Sequence, residues 1–211
     1  MQVTGSKDNK TTPTRLSIRI PDGQSLHRDM LPEGSEVAQL TLTFEGACVV
    51  PYPQTLTQEV DLRTLCASAG LSIAEDDKIV TTYTDGSVAY AIRLSGESAE
   101  IVEELQARGV EVTFDTPLAE VFRRAVIGSR RPKTVALRIE DATTYVAYSE
   151  EKRVRYVEAL PTNGEEQLVN LVALLNRDFD LRKARFILLG EASARYYKTL
   201  RKYFRRVSRE K

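Results

Sequence analysis

The chain has 211 residues, which is long enough for one large domain or two small ones with a buried core. Hydrophobic residues make up 42% and charged residues 28%, the formal net charge is zero, and these values are typical of a globular protein. Because no apolar run has the length of a membrane span and residues 1–14 lack the apolar core of a signal peptide, we expect a cytoplasmic protein without membrane contact.

The charge is divided unevenly along the chain. Residues 1–128 contain 11 Lys and Arg against 19 Asp and Glu, whereas residues 129–211 contain 19 against 11. Such a split indicates either a basic face for a partner or two lobes that attract each other across a cleft, and we favour the second interpretation. A helix end, a glycine and a proline coincide with the change of charge near Gly128. We therefore predict a flexible tail at 1–14, an N-terminal α/β lobe at 15–128 and a C-terminal α/β lobe at 129–211.

Alternating and uninterrupted apolar runs predict strands in the first lobe at 16–20, 37–50 (divided at Gly46), 79–83, 88–92 and 110–114. Asp85-Gly86 favours a tight hairpin between the third and fourth of these strands. The sequence predicts helices at 56–69, at 95–107 with Ser95 as the N-cap, and at 118–127 with Pro117 in the first turn.

In the second lobe we predict strands at 134–139, 144–148, 154–158 and 185–189. One helix covers 164–176, with Asn163 as its cap and a wide apolar stripe that includes Leu174. A final helix covers 192–207, and its spacing places Tyr197, Tyr203 and other apolar residues inward. The first lobe has a related order of strands before helices, so we expect two similar lobes, although a single mixed sheet covered by helices is the alternative.

This order of elements resembles half of the actin-like ATPase superfold, a ribonuclease H-like architecture with two related lobes of mixed β-sheet. More closely, the chain resembles the bacterial "domain of unknown function 3822" family, an uncharacterised family whose members look like divergent actin-like proteins. The segments that carry the resemblance are 16–23 (LSIRIPDG), 49–51, 88–94 with the following helix, 135–148 and 186–204.

In the superfold, two hairpins hold the nucleotide phosphates, and each contains an acidic residue and glycines that let backbone N–H groups approach. The resemblance places Asp22 and Gly23 in the first hairpin, Asp141 and Thr143 in the second, and Gly190 beside the adenosine. It implies that Asp22 and Asp141 would hold a magnesium ion through water.

Glycines are missing from two of these positions. Ala142 stands where the second hairpin is expected to have a glycine, and the Leu189–Ser193 segment has one glycine where the pattern has a pair. Because the backbone cradle is reduced, we expect a vestigial site with no cofactor and a pseudo-ATPase. ATP with magnesium, bound by an ATPase or kinase, remains the alternative.

The remaining polar residues give no catalytic motif. Cys48 and Cys66 form no CxxC pair and are expected to be buried thiols, and His27 is expected to be exposed or to anchor its loop. The acidic pairs Asp76-Asp77 and Glu103-Glu104 are expected to be solvated.

The basic terminal helix is a further candidate site. Arg201, Lys202, Arg205 and Arg206 are compatible with a nucleic-acid interface, because the basic segment also contains Tyr196, Tyr197, Tyr203 and Phe204. Aromatic residues at helical spacing more often belong to a core, however. We therefore predict a protein that is not an enzyme and acts by binding an unidentified protein partner. A nucleic-acid-binding accessory protein is the further alternative, and the sequence does not indicate the oligomeric state.

Overall fold

The structure, a computed structural model, describes residues 14–31, 37–83, 87–126, 131–140, 143–162, 164–190 and 192–210. Within these ranges the chain forms three β-sheets and five α-helices. The strands are β1 (Thr14–Ile20), β2 (Val37–Phe44), β3 (Val49–Pro53), β4 (Lys78–Tyr83), β5 (Val88–Leu94), β6 (Glu111–Asp115), β7 (Lys133–Ile139), β8 (Thr143–Glu150), β9 (Arg153–Pro161), β10 (Arg185–Leu189) and β11 (Val207–Arg209). The helices are α1 (Leu62–Ser68), α2 (Gly96–Ala107), α3 (Pro117–Val126), α4 (Glu165–Phe179) and α5 (Ser193–Tyr203).

The first sheet is parallel and has the order β1-β2-β6. Its alternating residues separate the two faces, because successive side chains of a strand point to opposite sides. Leu40, Leu42 and Phe44 are buried on one face. The other face is polar, and on it the hydroxyls of Thr41 and Thr113 lie 3.0 Å apart.

The second sheet is antiparallel and has the order β3-β5-β4. The predicted pairing of β4 with β5 is therefore confirmed, while Asp85-Gly86 lies outside the described residues. The helix predicted at 56–69 is shorter than expected and begins only after Asp61. The Asp61 carboxylate accepts hydrogen bonds from the backbone N–H groups of Arg63 and Thr64 and so caps α1.

The third sheet has the order β11-β10-β7-β8-β9. The strands β7, β8 and β9 form an antiparallel meander, and β10 and β11 add to it in parallel. Helices α4 and α5 cover one face, where Leu137 and Phe186 are buried in their core. The opposite face, with Tyr145 and Ala147, belongs to the core that holds the parallel sheet and α2.

Helix α3 joins the two halves of the chain. It begins in the first half after β6, and its side chains Leu118, Val121 and Phe122 are buried in the core shared with the five-stranded sheet. The hydroxyl of Ser149 on β8 donates a hydrogen bond of 2.6 Å to the carbonyl of Ala125 on α3. The packing of the two halves is therefore continuous across the boundary predicted near Gly128, which itself lies outside the described residues.

The final helix differs from the prediction. It ends at Tyr203 instead of continuing to residue 207, because the backbone becomes extended at Phe204 and the chain then forms β11. The side chain of Tyr203 is 65% exposed, whereas Tyr196 is only 5% exposed and packs into the core. Leu174, expected within the buried stripe of α4, is 54% exposed.

Several smaller predictions are settled by the structure. The capping of α2 by Ser95 is confirmed, and so is the burial of Cys66. Asp77 was expected to be solvated, which is wrong: its side chain is buried and accepts a hydrogen bond of 2.9 Å from the N–H of Ala74. Asn163 lies outside the described residues, and none of the described helices is long and apolar enough to cross a membrane.

Candidate functional site

A cavity of about 400 Å³ lies between the two halves of the chain, where β1, β2 and β7 end and β8 begins. It brings together two of the predicted site residues, Asp22 from the turn after β1 and Thr143 at the start of β8. Its other lining residues are Arg19, Pro21, Glu45, Glu140 and Tyr145.

The three other predicted site residues lie in different places. Gly190 touches the end of β7: a Cβ atom built on it would lie 2.8 Å from the carbonyl oxygen of Ile139 and 3.4 Å from Oε1 of Glu140. This close approach, together with a φ of +82°, explains why a glycine stands there. Gly23 lines a neighbouring cavity of about 260 Å³, and Asp141 lies outside the described residues.

The segment after β1 is a tight turn and does not lead into an antiparallel hairpin. The N–H of Gln24 donates a hydrogen bond of 3.1 Å to the carbonyl of Pro21, and β1 pairs with β2 in parallel. A hairpin around Asp22 and Gly23, which the resemblance implies, is therefore wrong for this structure. A hairpin joins antiparallel strands, but β2, the strand after the turn, runs parallel to β1.

The Asp22 side chain lies over the turn between β2 and β3. A Cβ atom on Gly46 would overlap the Asp22 carboxylate, and Gly46 has a φ of +74°. The N–H of Gly46 donates a hydrogen bond of 2.8 Å to the hydroxyl of Tyr145. Burial raises the pKa of Tyr145 above its ordinary value, and the phenol therefore stays protonated. Asp22, Gly46 and Tyr145 thus form one packed unit beside the cavity.

Ion pairs cross the cavity and connect the two halves of the chain. Arg19 on β1 pairs with Glu45 and also with Glu140, at 3.3 Å. Glu140 in turn pairs with Arg138 at 2.6 Å, and Arg138 also pairs with Glu120 on α3. We call these five residues the cleft network. Four of its members are half-buried, with side-chain exposures of 17–30%, and Arg19 is exposed at 49%.

The cleft network was not identified from the sequence. Arg19 and Glu140 are 121 residues apart, and no local pattern connects positions at such a distance. One signal was available, namely that Arg19 and Glu45 are charged residues at the ends of two predicted strands.

A second cavity, of about 640 Å³, adjoins the first on the other side of Arg19 and borders the polar face of the parallel sheet. Its arginines are also paired with acids. Arg123 lies 3.4 Å from Asp115, and Arg124 lies 3.0 Å from Glu210. The cations of this cavity are therefore engaged by carboxylates of the chain itself.

A metal ion or nucleotide would have to use the groups that face the 400 Å³ cavity. They include the carboxylates of Asp22, Glu45 and Glu140, with one guanidinium, Arg19, which already pairs with two of them. Among the described residues, no three His, Cys, Asp or Glu side chains are arranged to hold a metal ion. The N–H of Gly46 is already bonded to Tyr145.

The predicted nucleic-acid residues Arg201, Lys202, Arg205 and Arg206 are all exposed, at the end of α5 and in the segment after it. Within the described part of the chain, no carboxylate lies within ion-pair distance of their side chains. Of the tyrosines nearby, Tyr203 is exposed and Tyr196 is buried. The four cations are therefore accessible to a ligand, but only one of these two tyrosines is accessible beside them.

No model of a known protein family matches the chain, and no curated protein is similar to it in sequence. Solved structures share its fold. One is a Bacteroides thetaiotaomicron protein with an actin-like ATPase fold and unknown function, which has a TM-score of 0.67 and 11% identity over 82% of this chain and 69% of that one. Another is the PilM–PilN type IV pilus biogenesis complex, with a TM-score of 0.51 and 13% identity over 83% of this chain and 70% of that one. The ethanolamine utilization protein EutJ from Carboxydothermus hydrogenoformans matches with a TM-score of 0.42 and 11% identity over 83% of this chain and 62% of that one. The protein has a mixed α/β actin-like ATPase fold, as its sequence predicted.

Proposed function

We propose that this protein is a non-catalytic actin-like protein that acts by binding another protein. We further propose that it belongs to the bacterial domain of unknown function 3822 family and works in the cytoplasm. The cleft network carries the proposal, because Arg19, Glu45 and Glu140, which line the cavity between the halves, are already engaged in ion pairs of the chain itself.

Electrostatics argue against a nucleotide in the cleft. The triphosphate of ATP would enter a cavity that already holds the carboxylates of Asp22, Glu45 and Glu140. Arg19 would have to leave Glu45 and Glu140 to reach a phosphate, and both carboxylates would then lie near the new negative charge without this guanidinium. A bound nucleotide would therefore lose most of the attraction that a phosphate site normally provides.

The backbone of the cleft also argues against a bound nucleotide. Phosphate sites of this kind use several N–H groups that point into the cavity, usually from glycines. Here the N–H of Gly46 is bonded to Tyr145, and the Asp22 carboxylate lies against Gly46. These contacts support a structural role for Asp22.

Binding to a protein partner is supported by one of the structures with the same fold. PilM occurs there in a complex with PilN, so an actin-like fold of this kind can take part in a protein assembly. The likeness between the two chains concerns the fold alone, and we infer no common partner.

Thermal unfolding tests the proposal. The full chain is melted with and without millimolar ATP or ADP and excess magnesium, with sodium sulfate at matched ionic strength as the control. We expect the same melting temperature in every sample. A ligand at 100 times its dissociation constant would add about 2.7 kcal/mol. That gain corresponds to a shift of roughly 5–10 °C for a chain of this size, and such a nucleotide-specific shift would support the ATPase alternative instead.

A further inference from the structure

A shallow apolar groove runs between α4 and α5 on the side of the five-stranded sheet that faces away from the cleft. Its volume is about 280 Å³. The groove is bordered by exposed or half-exposed side chains at its rim and by buried ones at its floor. Its lining residues are Val169, Val172, Ala173, Asn176, Arg182, Leu200, Tyr203 and Phe204.

The groove is lined by Arg182, Tyr203 and Phe204, which belong to two basic segments of the chain. The segments 177–183 and 201–206 contain seven Lys and Arg against two Asp. The two segments meet in space, because the N–H of Phe186 donates a hydrogen bond of 2.7 Å to the carbonyl of Arg206, and the Arg206 guanidinium lies 3.5 Å from the carbonyl of Lys183. The groove therefore opens beside a single cluster of positive charge.

Stabilisation of helix ends accounts for only some of the basic residues in this cluster. Cations in the last turn of a helix complement its dipole, and Arg177 on α4 and Arg201 and Lys202 on α5 occupy such positions. Arg182 and Lys183 end a short 3-10 helix, whereas Arg205 and Arg206 lie in the segment after α5. The two acids of the cluster are each paired with an adjacent arginine, Asp178 with Arg177 at 3.0 Å and Asp180 with Arg182 at 2.7 Å.

We propose that this groove binds an acidic amphipathic helix of a protein partner, an inference that rests on the proposed function. A helix with one apolar face fits an apolar groove between two helices, and acidic residues beside that face would meet the basic cluster. The groove is thus the surface through which the protein captures its partner.

A protein segment fits this surface better than a nucleic acid does. Single-stranded nucleic acids are bound by several exposed aromatic rings along a basic groove. Here Tyr203 is exposed at 65%, but Tyr196 and Phe204 are buried at 5% and 9% exposure. The floor of the groove is formed by aliphatic side chains such as Val172 and Leu200, which suit apolar side chains of a helix.

The probe for the test is a fluorescein-labelled synthetic peptide of about 16 residues, with leucine at the i, i+3, i+4 and i+7 positions of a helix and glutamate elsewhere. A second peptide has lysine in place of every glutamate. Binding to the full chain is measured by fluorescence anisotropy at several salt concentrations. We expect the glutamate peptide to bind at least tenfold more tightly than the lysine peptide, and its affinity to fall as salt rises.

Two variants test whether the peptide binds at the groove. Ala173→Glu introduces a larger, negatively charged side chain at an exposed position of the lining. Lys202→Glu with Arg205→Glu reverses two exposed charges of the basic cluster. Both variants are expected to weaken binding of the glutamate peptide at least tenfold. Arg153→Glu, an exposed charge reversal on β9, is the matched control and should bind like the wild type.

All four altered positions are exposed, and circular dichroism verifies that each of the three variants is folded. Equal affinity for the two peptides, or wild-type affinity in Ala173→Glu, would overturn the inference. Binding of a labelled single-stranded oligonucleotide that the variants weaken, without peptide binding, would assign the surface to nucleic acid. A negative peptide result leaves the nucleotide melting result unaffected, so failure of this inference is distinguishable from failure of the proposed function.

Discussion

Asp22 and Gly46 are in direct contact, and their packing sets the shape of the turn between β2 and β3. Gly46 has a φ of +74°, and the space where a Cβ atom would stand is occupied by the Asp22 carboxylate. Gly23 has nearly the same φ, +75°, but nothing lies within 4 Å of its Cβ position. An alanine at Gly23 would therefore meet only the cost of the left-handed backbone, whereas an alanine at Gly46 would meet that cost and a steric overlap as well.

We predict that Gly23→Ala lowers the free energy of unfolding by about 1–2 kcal/mol, the cost of a left-handed alanine. Gly46→Ala should lower it by about 1–3 kcal/mol more, because a neighbouring side chain must move. Urea unfolding measures both values. Addition of Asp22→Gly to Gly46→Ala should restore part of the loss, because it removes both the carboxylate and the Cβ atom from the space that the new methyl group needs. A cost of Gly46→Ala that is just as large in the Asp22→Gly background would contradict this explanation.

Cys48 is expected to be an unreactive thiol. The Cys48 side chain was expected to be buried but is only partly buried. Desolvation of the thiol, with a smaller effect of the Asp22 charge, still raises its pKa to about 11. A thiol in the unfolded chain has a pKa of about 8.5. The unfolded chain therefore loses this proton at a lower pH than the folded chain does, and deprotonation favours unfolding, so the protonated thiol stabilises the folded state. This contribution to stability is complete below pH ~8.5 and is lost as the pH rises toward about 11.

Reaction with iodoacetamide tests the state of the thiols. We predict that at pH 8 neither Cys48 nor Cys66 is modified on the time scale on which the urea-unfolded chain reacts fully, and burial also raises the pKa of Cys66. Cys48 should begin to react only above about pH 10. Rapid modification of Cys48 in the folded protein at pH 8 would show that its thiol is not held as the structure indicates.

At the scale of elements, the orientation of α5 decides which of its tyrosines stabilise the fold. Tyr196 is 5% exposed within the core of α4 and α5, whereas Tyr203 is 65% exposed. We predict that Tyr196→Ala lowers the free energy of unfolding by about 3–5 kcal/mol. Tyr203→Ala should change it by less than about 0.5 kcal/mol. Comparable losses in the two variants would mean that the helix is rotated from the position described here.

The elements themselves were largely predictable, and the exceptions have physical causes. Strands β7, β8, β9 and β10 have continuous or alternating apolar runs, and Ser95 and Pro117 mark helix starts, so local patterns were sufficient for these elements. The strand β11 was missed because it has three residues and follows a basic run that is compatible with a helix. The parallel pairing of β1 with β2 depends on tertiary contacts that no local pattern contains.

The candidate site was predictable only in part, for a similar reason. Asp22 and Thr143 were identified from the resemblance, and the structure places them around one cavity. The charged residues that line this cavity come from distant parts of the chain, since Arg19 is 26 residues from Glu45 and 121 from Glu140. Electrostatic complementarity between the halves was visible in the sequence only as a difference in net charge.

For the whole molecule, the cleft network should contribute to stability because it joins the halves. Arg138 has a side-chain exposure of 20% and two acidic partners. Arg138→Met leaves both acids without this cation, and we predict a loss of about 1–3 kcal/mol in the free energy of unfolding. Arg28→Met is the matched control, because its pair with Glu104 is exposed on both sides and should have no measurable effect. If Arg138→Met lowered the free energy of unfolding no more than Arg28→Met does, the cleft network would not contribute to stability.

We propose that the cleft of this actin-like fold does not bind a nucleotide. Isothermal titration calorimetry of the full chain with ATP and excess magnesium tests this claim, with the Thr143→Val variant measured in parallel. We predict no saturable heat in either protein. A one-site isotherm for the wild type that Thr143→Val weakens would contradict the claim and assign the cleft to ATP.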